Sequence, residues 1–114
     1  VREVFWHYNL VFLNLLKNAV HAAGNEHNTS IEITLDAATQ TLSFKDYGCG
    51  ISHNNIQHIF QSFYTNKETH VGSGLGLFFC QQVLQHFQAT ISCESKLGQW
   101  TVFTIYFTNN HRNK

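Results

Sequence analysis

Asn14 and Asn18 stand inside the most hydrophobic stretch of the chain, Leu10-Val-Phe-Leu-Asn14-Leu-Leu-Lys-Asn18-Ala-Val20. Four residues apart, they share one face of a helix, and the stripe continues to His21 and Asn25. An amide taken from water without a partner costs roughly 1–3 kcal/mol. Each therefore caps local backbone or faces a polar ligand in a cleft. A second polar constellation, Asp46-Tyr-Gly48-Cys-Gly50-Ile51, comes directly off a strand-like run. Its glycines permit positive φ and let backbone approach a flat ligand closely. The Asp46 carboxylate can accept a hydrogen bond from an exocyclic amine such as that of adenine. Guanine would set a carbonyl against it, an acceptor facing an acceptor. The plainer alternative is an ordinary Asp-x-Gly turn.

Gly72-Ser73-Gly74-Leu75-Gly76-Leu77 opens a second helical stretch. Free N–H groups and the positive dipole end at such a start suit phosphate, although glycines also let helices pack closely. The spacing is G-x-G-x-G rather than G-x-G-x-x-G, and no Walker lysine follows, which disfavours the Rossmann and P-loop readings. Between the two glycine segments lies Ile59-Phe60-Gln-Ser-Phe63-Tyr-Thr-Asn-Lys67. Phe60 and Phe63 can anchor one edge of the polar loop over 65–73. Lys67, the only lysine or arginine in that loop, either contacts a terminal phosphate or stays solvated.

These residues need elements to hold them. The periodicity predicts a first helix over about 5–23, ended by Gly24 or Asn25, with Leu13, Leu16 and Val20 on its apolar face. Strict alternation over 30–36 and 41–45 predicts a hairpin, with Ile31, Ile33 and Leu35 on one face and Leu42 and Phe44 inward. A short helix over about 54–60 follows. A second long helix over about 75–87 presents Leu77, Phe78, Val83 and Leu84 to the core. Two last strands cover 90–93 and 101–107, with Phe103, Ile105 and Phe107 sharing a face. Polar alternates such as Glu32, Thr34 and Ser43 leave the other face to water. The expected fold is a two-layer α/β sandwich with helices on one face of a mixed, mostly antiparallel sheet.

At 114 residues, with 43% hydrophobic and 14% aromatic content, the chain is expected to fold as one packed domain over 1–108, with a flexible tail over 109–114. Seven basic residues balance seven acidic ones, so no basic field draws nucleic acid or an anionic membrane. Cys49, Cys80 and Cys93 lack any C-x-x-C spacing, and the eight histidines make no ligand motif, which argues against a zinc or disulfide framework.

Taken in order, the four segments resemble the ATP-binding catalytic domain of bacterial sensor histidine kinases, of the Bergerat superfamily. Asn14-Leu-Leu-Lys-Asn18-Ala looks like its N box and Asp46-Tyr-Gly-Cys-Gly50 like its G1 box. Phe60-Gln-Ser-Phe63-Tyr-Thr-Asn-Lys67 looks like the F box and Gly72-Ser-Gly-Leu-Gly76-Leu like the G2 box. The resemblance spans about 9–107. It implies ATP lying between the first helix and the glycine boxes under a lid over 65–73, with Mg²⁺ held by Asn18. Asn14, His21 and Lys67 would line the phosphates, and Thr101 could help fix Asp46. Three features depart from the pattern. Gly98-Gln-Trp100-Thr101 carries tryptophan where glycine is usual, so Trp100 either packs over the sheet edge or narrows the adenine pocket. His86-Phe-Gln-Ala89 stands where a His-Gly-Gly turn is common. The strand that usually precedes the first helix is not visible, so the chain is expected to be N-terminally truncated.

Members of the superfamily that hydrolyse ATP carry a glutamate where Asn14 stands, and an amide is no general base. The resemblance therefore implies a protein-histidine kinase that positions MgATP and borrows its acceptor histidine. That acceptor would come from a separate dimerisation/phosphoacceptor domain of the same parent, with a response regulator or receiver domain downstream. The isolated chain is expected to be a cytoplasmic monomer with little turnover, without nucleic acid or membrane contact. The competing reading is a degenerate kinase fold that docks a partner through Trp100 and the Phe60/Phe63 surface.

Overall fold

Alternation along the strands decides which face of the sheet is covered. The computed structural model describes residues 2–24, 30–62 and 76–107, with first-helix side chains from Trp6 onward. The elements run α1 (Arg2–Ala23), β1 (Ile31–Asp36), β2 (Thr41–Asp46), α2 (His53–Ile56), α3 (Gly76–His86), β3 (Ala89–Lys96) and β4 (Trp100–Phe107). The strands form one sheet in the order β1-β2-β4-β3, and every pairing is antiparallel. The register lines up three inward rows. One is Leu35–Leu42–Ile105–Ile91 and the next is Ile33–Phe44–Phe103–Cys93. The last, at the end nearest the glycine loops, is Ile31–Asp46–Thr101–Ser95.

Helices α1 and α3 cover the apolar rows over β2, β4 and β3, leaving β1 outside. Val11, Leu15 and Ala19 recur at helical spacing on α1 and are buried, as are Cys80, Val83 and Leu84 on α3. Tyr8 and Phe12 extend this contact. Phe12 lies 5.8 Å from Phe44 between ring centroids, and Tyr8 meets Phe107 edge-on at 5.7 Å. The Cys80 thiol donates to the Val11 carbonyl oxygen at 3.7 Å, tying the two helices together.

Four expectations are corrected. Leu13 and Val20 are 48% and 62% exposed. At about 100° per residue they stand roughly 140–160° around the helix from Leu15, on the side away from the sheet. Leu16, at the margin, does pack on the core. On α3, Phe79 rather than Phe78 packs against the core. Helix α2 is a single turn, capped by Ser52 Oγ accepting from Asn55 N–H at 3.3 Å, with turns continuing to Phe60. Strand β3 runs to Lys96, three residues beyond the expected end. Ile33 and Leu35 do share the face of Phe44 and Leu42, yet they are exposed because no described helix lies over β1.

Candidate functional site

The loop leaving β2 is wedged between the end of α1 and the β3–β4 hairpin. Cys49 N–H donates to the Ala22 carbonyl at 3.0 Å, and Gly98 N–H donates to the Cys49 carbonyl at 2.6 Å. On the far side, Ile51 N–H donates to Ser95 Oγ at 2.7 Å. Both glycines are required by this wedge. A Cβ on Gly48 would overlap the Ala22 carbonyl, and one on Gly50 would overlap the Lys96 carbonyl. Gly50 also sits at φ +71°, a backbone conformation that side chains disfavour. The close approach expected toward a ligand is thus, at Gly48, an approach to the last turn of α1.

Asp46 and Thr101 are cross-strand partners, each 3% exposed, on the face otherwise filled by Phe44, Phe103 and Ile105. Asp46 Oδ1 accepts from Gly48 N–H at 2.9 Å, so the Asp-x-Gly turn is real. That turn fixes the carboxylate at the sheet end. Burial raises the Asp46 pKa above the usual carboxylate range, and the Gly48 N–H partly offsets the rise. The neighbouring row feels the same charge. The Cys93 thiol is pushed up to about 12, first by burial and then by Asp46 and Glu94. A buried carboxylate without a full ionic partner is costly, and such groups concentrate at functional sites.

Asn14 bridges the two alternatives its position allowed. Its Nδ2 donates to the Leu10 carbonyl at 3.0 Å. Its Oδ1 faces the start of α3, 2.8 Å from where a Gly76 Cβ would sit. Asn18 is half-buried on the same stripe, and His21 is exposed on the last turn of α1, where its carbonyl accepts from Gly24 N–H at 3.1 Å. Leu77 packs against the core. Phe60 meets Phe103 edge-on at 6.3 Å, and so docks the segment after α2 onto the sheet. Phe63, Lys67, Gly72, Ser73, Gly74 and Leu75, with the loop over 65–73, Asn25 and the tail over 109–114, lie outside the described residues. The structure therefore brings Asn14 to Gly76, and Asp46, Gly48, Gly50, Ile51 and Thr101 to one sheet end.

Two residues gain definition that the sequence did not supply. Ser95 joins Ile51 to Thr101, its Oγ lying 2.9 Å from Thr101 Oγ1. The signal was a polar residue two places beyond Cys93 on the inward side of β3, hidden by ending that strand too early. Trp100 precedes the inward Thr101 and so points to the opposite face. There Lys45 Nζ lies 5.1 Å from the centroids of both the Trp100 and Tyr47 rings, a cation–π contact on each. Trp100 takes neither expected placement as stated: β4 is an interior strand, so its ring lies on the outer face of the sheet rather than over its edge, and away from Asp46.

The family described as histidine kinase-, DNA gyrase B- and HSP90-like ATPase matches residues 7–111. The chain belongs to this family. Among its relatives, the autoinducer 1 sensor kinase/phosphatase LuxN of Vibrio campbellii is 38% identical over 102 residues, covering 88% of this chain and 12% of LuxN. Sporulation kinase E of Bacillus subtilis is 36% identical over 96 residues, covering 83% and 13%. The catalytic domain of histidine kinase ThkA superposes with a TM-score of 0.70 at 28% identity, covering 90% of this chain and 69% of that one. The mycobacterial sensor histidine kinase MprB shares the fold at a TM-score of 0.77 and 21% identity, covering 89% and 71%. These relatives make the chain a catalytic ATP-binding domain of the sensor histidine kinase type. It spans about an eighth of the length of the first curated relatives it matches. Among the described residues no helix is long and apolar enough to cross a membrane.

Proposed function

We propose that this domain, over 1–108, binds MgATP between α1, the β2–α2 loop and the start of α3, and serves a protein-histidine kinase. The observation that carries the reading is the Asp46–Thr101 pair. It is a buried carboxylate beside a buried hydroxyl at a sheet end, in a loop whose glycines leave no freedom to shift. Asp46 would accept from the adenine amine, while Asn14, Asn18 and His21, with Lys67 and the glycines at 72–76, would face the phosphates. The amide oxygen of Asn18 is a neutral, hard donor and suits Mg²⁺, which keeps much of its hydration and leans on nucleotide oxygens. When bound, the ion neutralises phosphate charge. The chain's own task is to hold the nucleotide in line.

Where ATP-hydrolysing members of the superfamily carry a glutamate, Asn14 presents an amide, its Nδ2 donating to the Leu10 carbonyl, and an amide is no general base toward water. Transfer then requires a nucleophile that needs no such help, and a histidine imidazole on a separate dimerisation/phosphoacceptor domain fits. A response regulator or receiver domain would take the phosphoryl group onward, on the cytoplasmic side. Trp100 lies against Lys45 on the outer face, away from Asp46, which supports a nucleotide cleft over one narrowed by that side chain. Calorimetry with MgATP and MgGTP tests the reading. Saturable, adenine-selective binding that Asn18→Ala weakens about tenfold in the presence of Mg²⁺ is expected, the size of one lost charge-assisted contact. No binding at millimolar MgATP would refute it.

A further inference from the structure

Ser95 closes the polar row Asp46–Thr101–Ser95, and its Oγ is fully committed. Ile51 N lies 2.7 Å away, the Trp100 carbonyl oxygen 2.7 Å and Thr101 Oγ1 2.9 Å. A serine hydroxyl has one proton and two lone pairs. The Ile51 N–H can only donate, and the Trp100 carbonyl can only accept. The Ser95 proton therefore goes to Trp100, and one lone pair takes Ile51. The second lone pair is all that remains for Thr101, so Thr101 is the donor in that contact. Its single proton points at Ser95, away from Asp46.

We propose that Ser95 is a positioning residue that sets base preference: by holding the Thr101 proton, it leaves only hydrogen-bond acceptors at the Asp46 end of the nucleotide pocket. This rests on the reading of Asp46 as the base contact. Thr101 then offers lone pairs alone, and an ionised Asp46 offers nothing else. Two acceptors side by side favour a purine carrying a 6-amino group, or a water that donates, and reject a 6-oxo purine. Without Ser95 Oγ, the Thr101 hydroxyl is free to turn and donate, and a 6-oxo group gains a partner.

ATP and ITP differ at this position in the sense required, 6-amino against 6-oxo. Their dissociation constants, with Mg²⁺, are measured for the wild-type chain, Ser95→Ala, Ser95→Thr and Asp46→Asn, alongside the backbone amide resonance of Ile51. Wild type is expected to prefer ATP. Ser95→Ala is expected to lower the ATP/ITP preference by about five- to tenfold, the weight of one hydrogen bond, and to shift the Ile51 amide. Ser95→Thr, which keeps the hydroxyl, restores both. Ser95→Cys, similar in size but a weak hydrogen-bonding group, carries the same expectation should Ser95→Ala not fold. Equal weakening of both nucleotides in Ser95→Ala would overturn the inference. A wild-type chain that binds neither nucleotide overturns the ATP reading and this inference together. Binding whose preference is lost in Asp46→Asn but kept in Ser95→Ala refutes the role of Ser95 alone.

Discussion

Alanine at Gly98 and at Gly50 separates two costs that a loop glycine can carry. Gly98 has φ +79°, and a Cβ there would meet nothing within 4 Å. Its substitution therefore reports left-handed backbone strain alone, about 1–2 kcal/mol, reduced by about 0.4–1 kcal/mol because alanine orders the unfolded chain. A net loss near 1 kcal/mol is expected. Gly50 has nearly the same φ, but its Cβ would overlap the Lys96 carbonyl and lie 2.9 Å from Leu97 Cα and 3.0 Å from Gly98 N. Those are backbone atoms, so relief requires the loop and the β3–β4 hairpin to part. Parting them stretches the Gly98 N–H to Cys49 and Ile51 N–H to Ser95 bonds, worth about 1 kcal/mol each. Gly50→Ala should therefore cost about 3 kcal/mol, some 10–20 °C in Tm for a domain of this size. Urea unfolding of both variants with a shared m-value measures the difference. If Gly50→Ala proves no more costly than Gly98→Ala, the loop is not wedged against the hairpin, and the geometry argued for the site is wrong.

Leu15→Ala, at the centre of the α1 contact and 1% exposed, should cost about 2–5 kcal/mol. Leu35→Ala, at 72% exposure on β1, should stay within about 0.5 kcal/mol in the same urea titration. Asp46→Asn should stabilise the ligand-free domain relative to wild type above the ordinary carboxylate range. Because burial raises the folded pKa, the folded chain holds the proton more tightly, so wild-type stability falls as pH rises from the unfolded pKa through the folded one. The stability advantage of the variant should grow across that window and then level off; a pH-independent difference would contradict it. Gln88, just past α3, sits at φ +65°, and Gln88→Gly should raise stability by about 0.5–1 kcal/mol in thermal unfolding. A drop in Tm would show that the glutamine side chain contributes more than its backbone costs.

How much of this was legible depends on which regularity each residue obeys. The hairpin of β1 and β2 and the inward face of β4 were readable because a period of two leaves no ambiguity once a strand is recognised. Helix α1 was readable as a helix but not in its orientation. It is apolar most of the way round, so the sequence admits Leu13 and Val20 as readily as Val11 and Leu15. Only the position of the sheet chooses between them. The shortness of α2 turns on Ser52 capping and on turns that carry no apolar period. At the sheet end, the polar types of Asp46 and Thr101 and the glycines at 48 and 50 were legible. The partners were not, since Gly48 against Ala22, Gly50 against Lys96 and Ser95 against Thr101 are contacts between distant segments.

Strand parity explains how the domain carries a large residue at position 100, where the resemblance to the kinase domains led to the expectation of glycine. Lys45 and Trp100 immediately precede Asp46 and Thr101, and consecutive strand residues face opposite ways. The pair Lys45–Trp100 is thus obliged to lie outside when Asp46–Thr101 lies inside, and the cation–π contact is the outer counterpart of the inner polar row. A side chain of any size at position 100 is built on the outer surface, and residue 100 touches the inner polar row only through its backbone. That backbone does take part, because the Trp100 carbonyl receives the Ser95 proton. The tryptophan is therefore tolerated for its side chain and used for its carbonyl. On the proposed reading, the base contact at Asp46 depends on residue 100 being in strand, not on its being glycine.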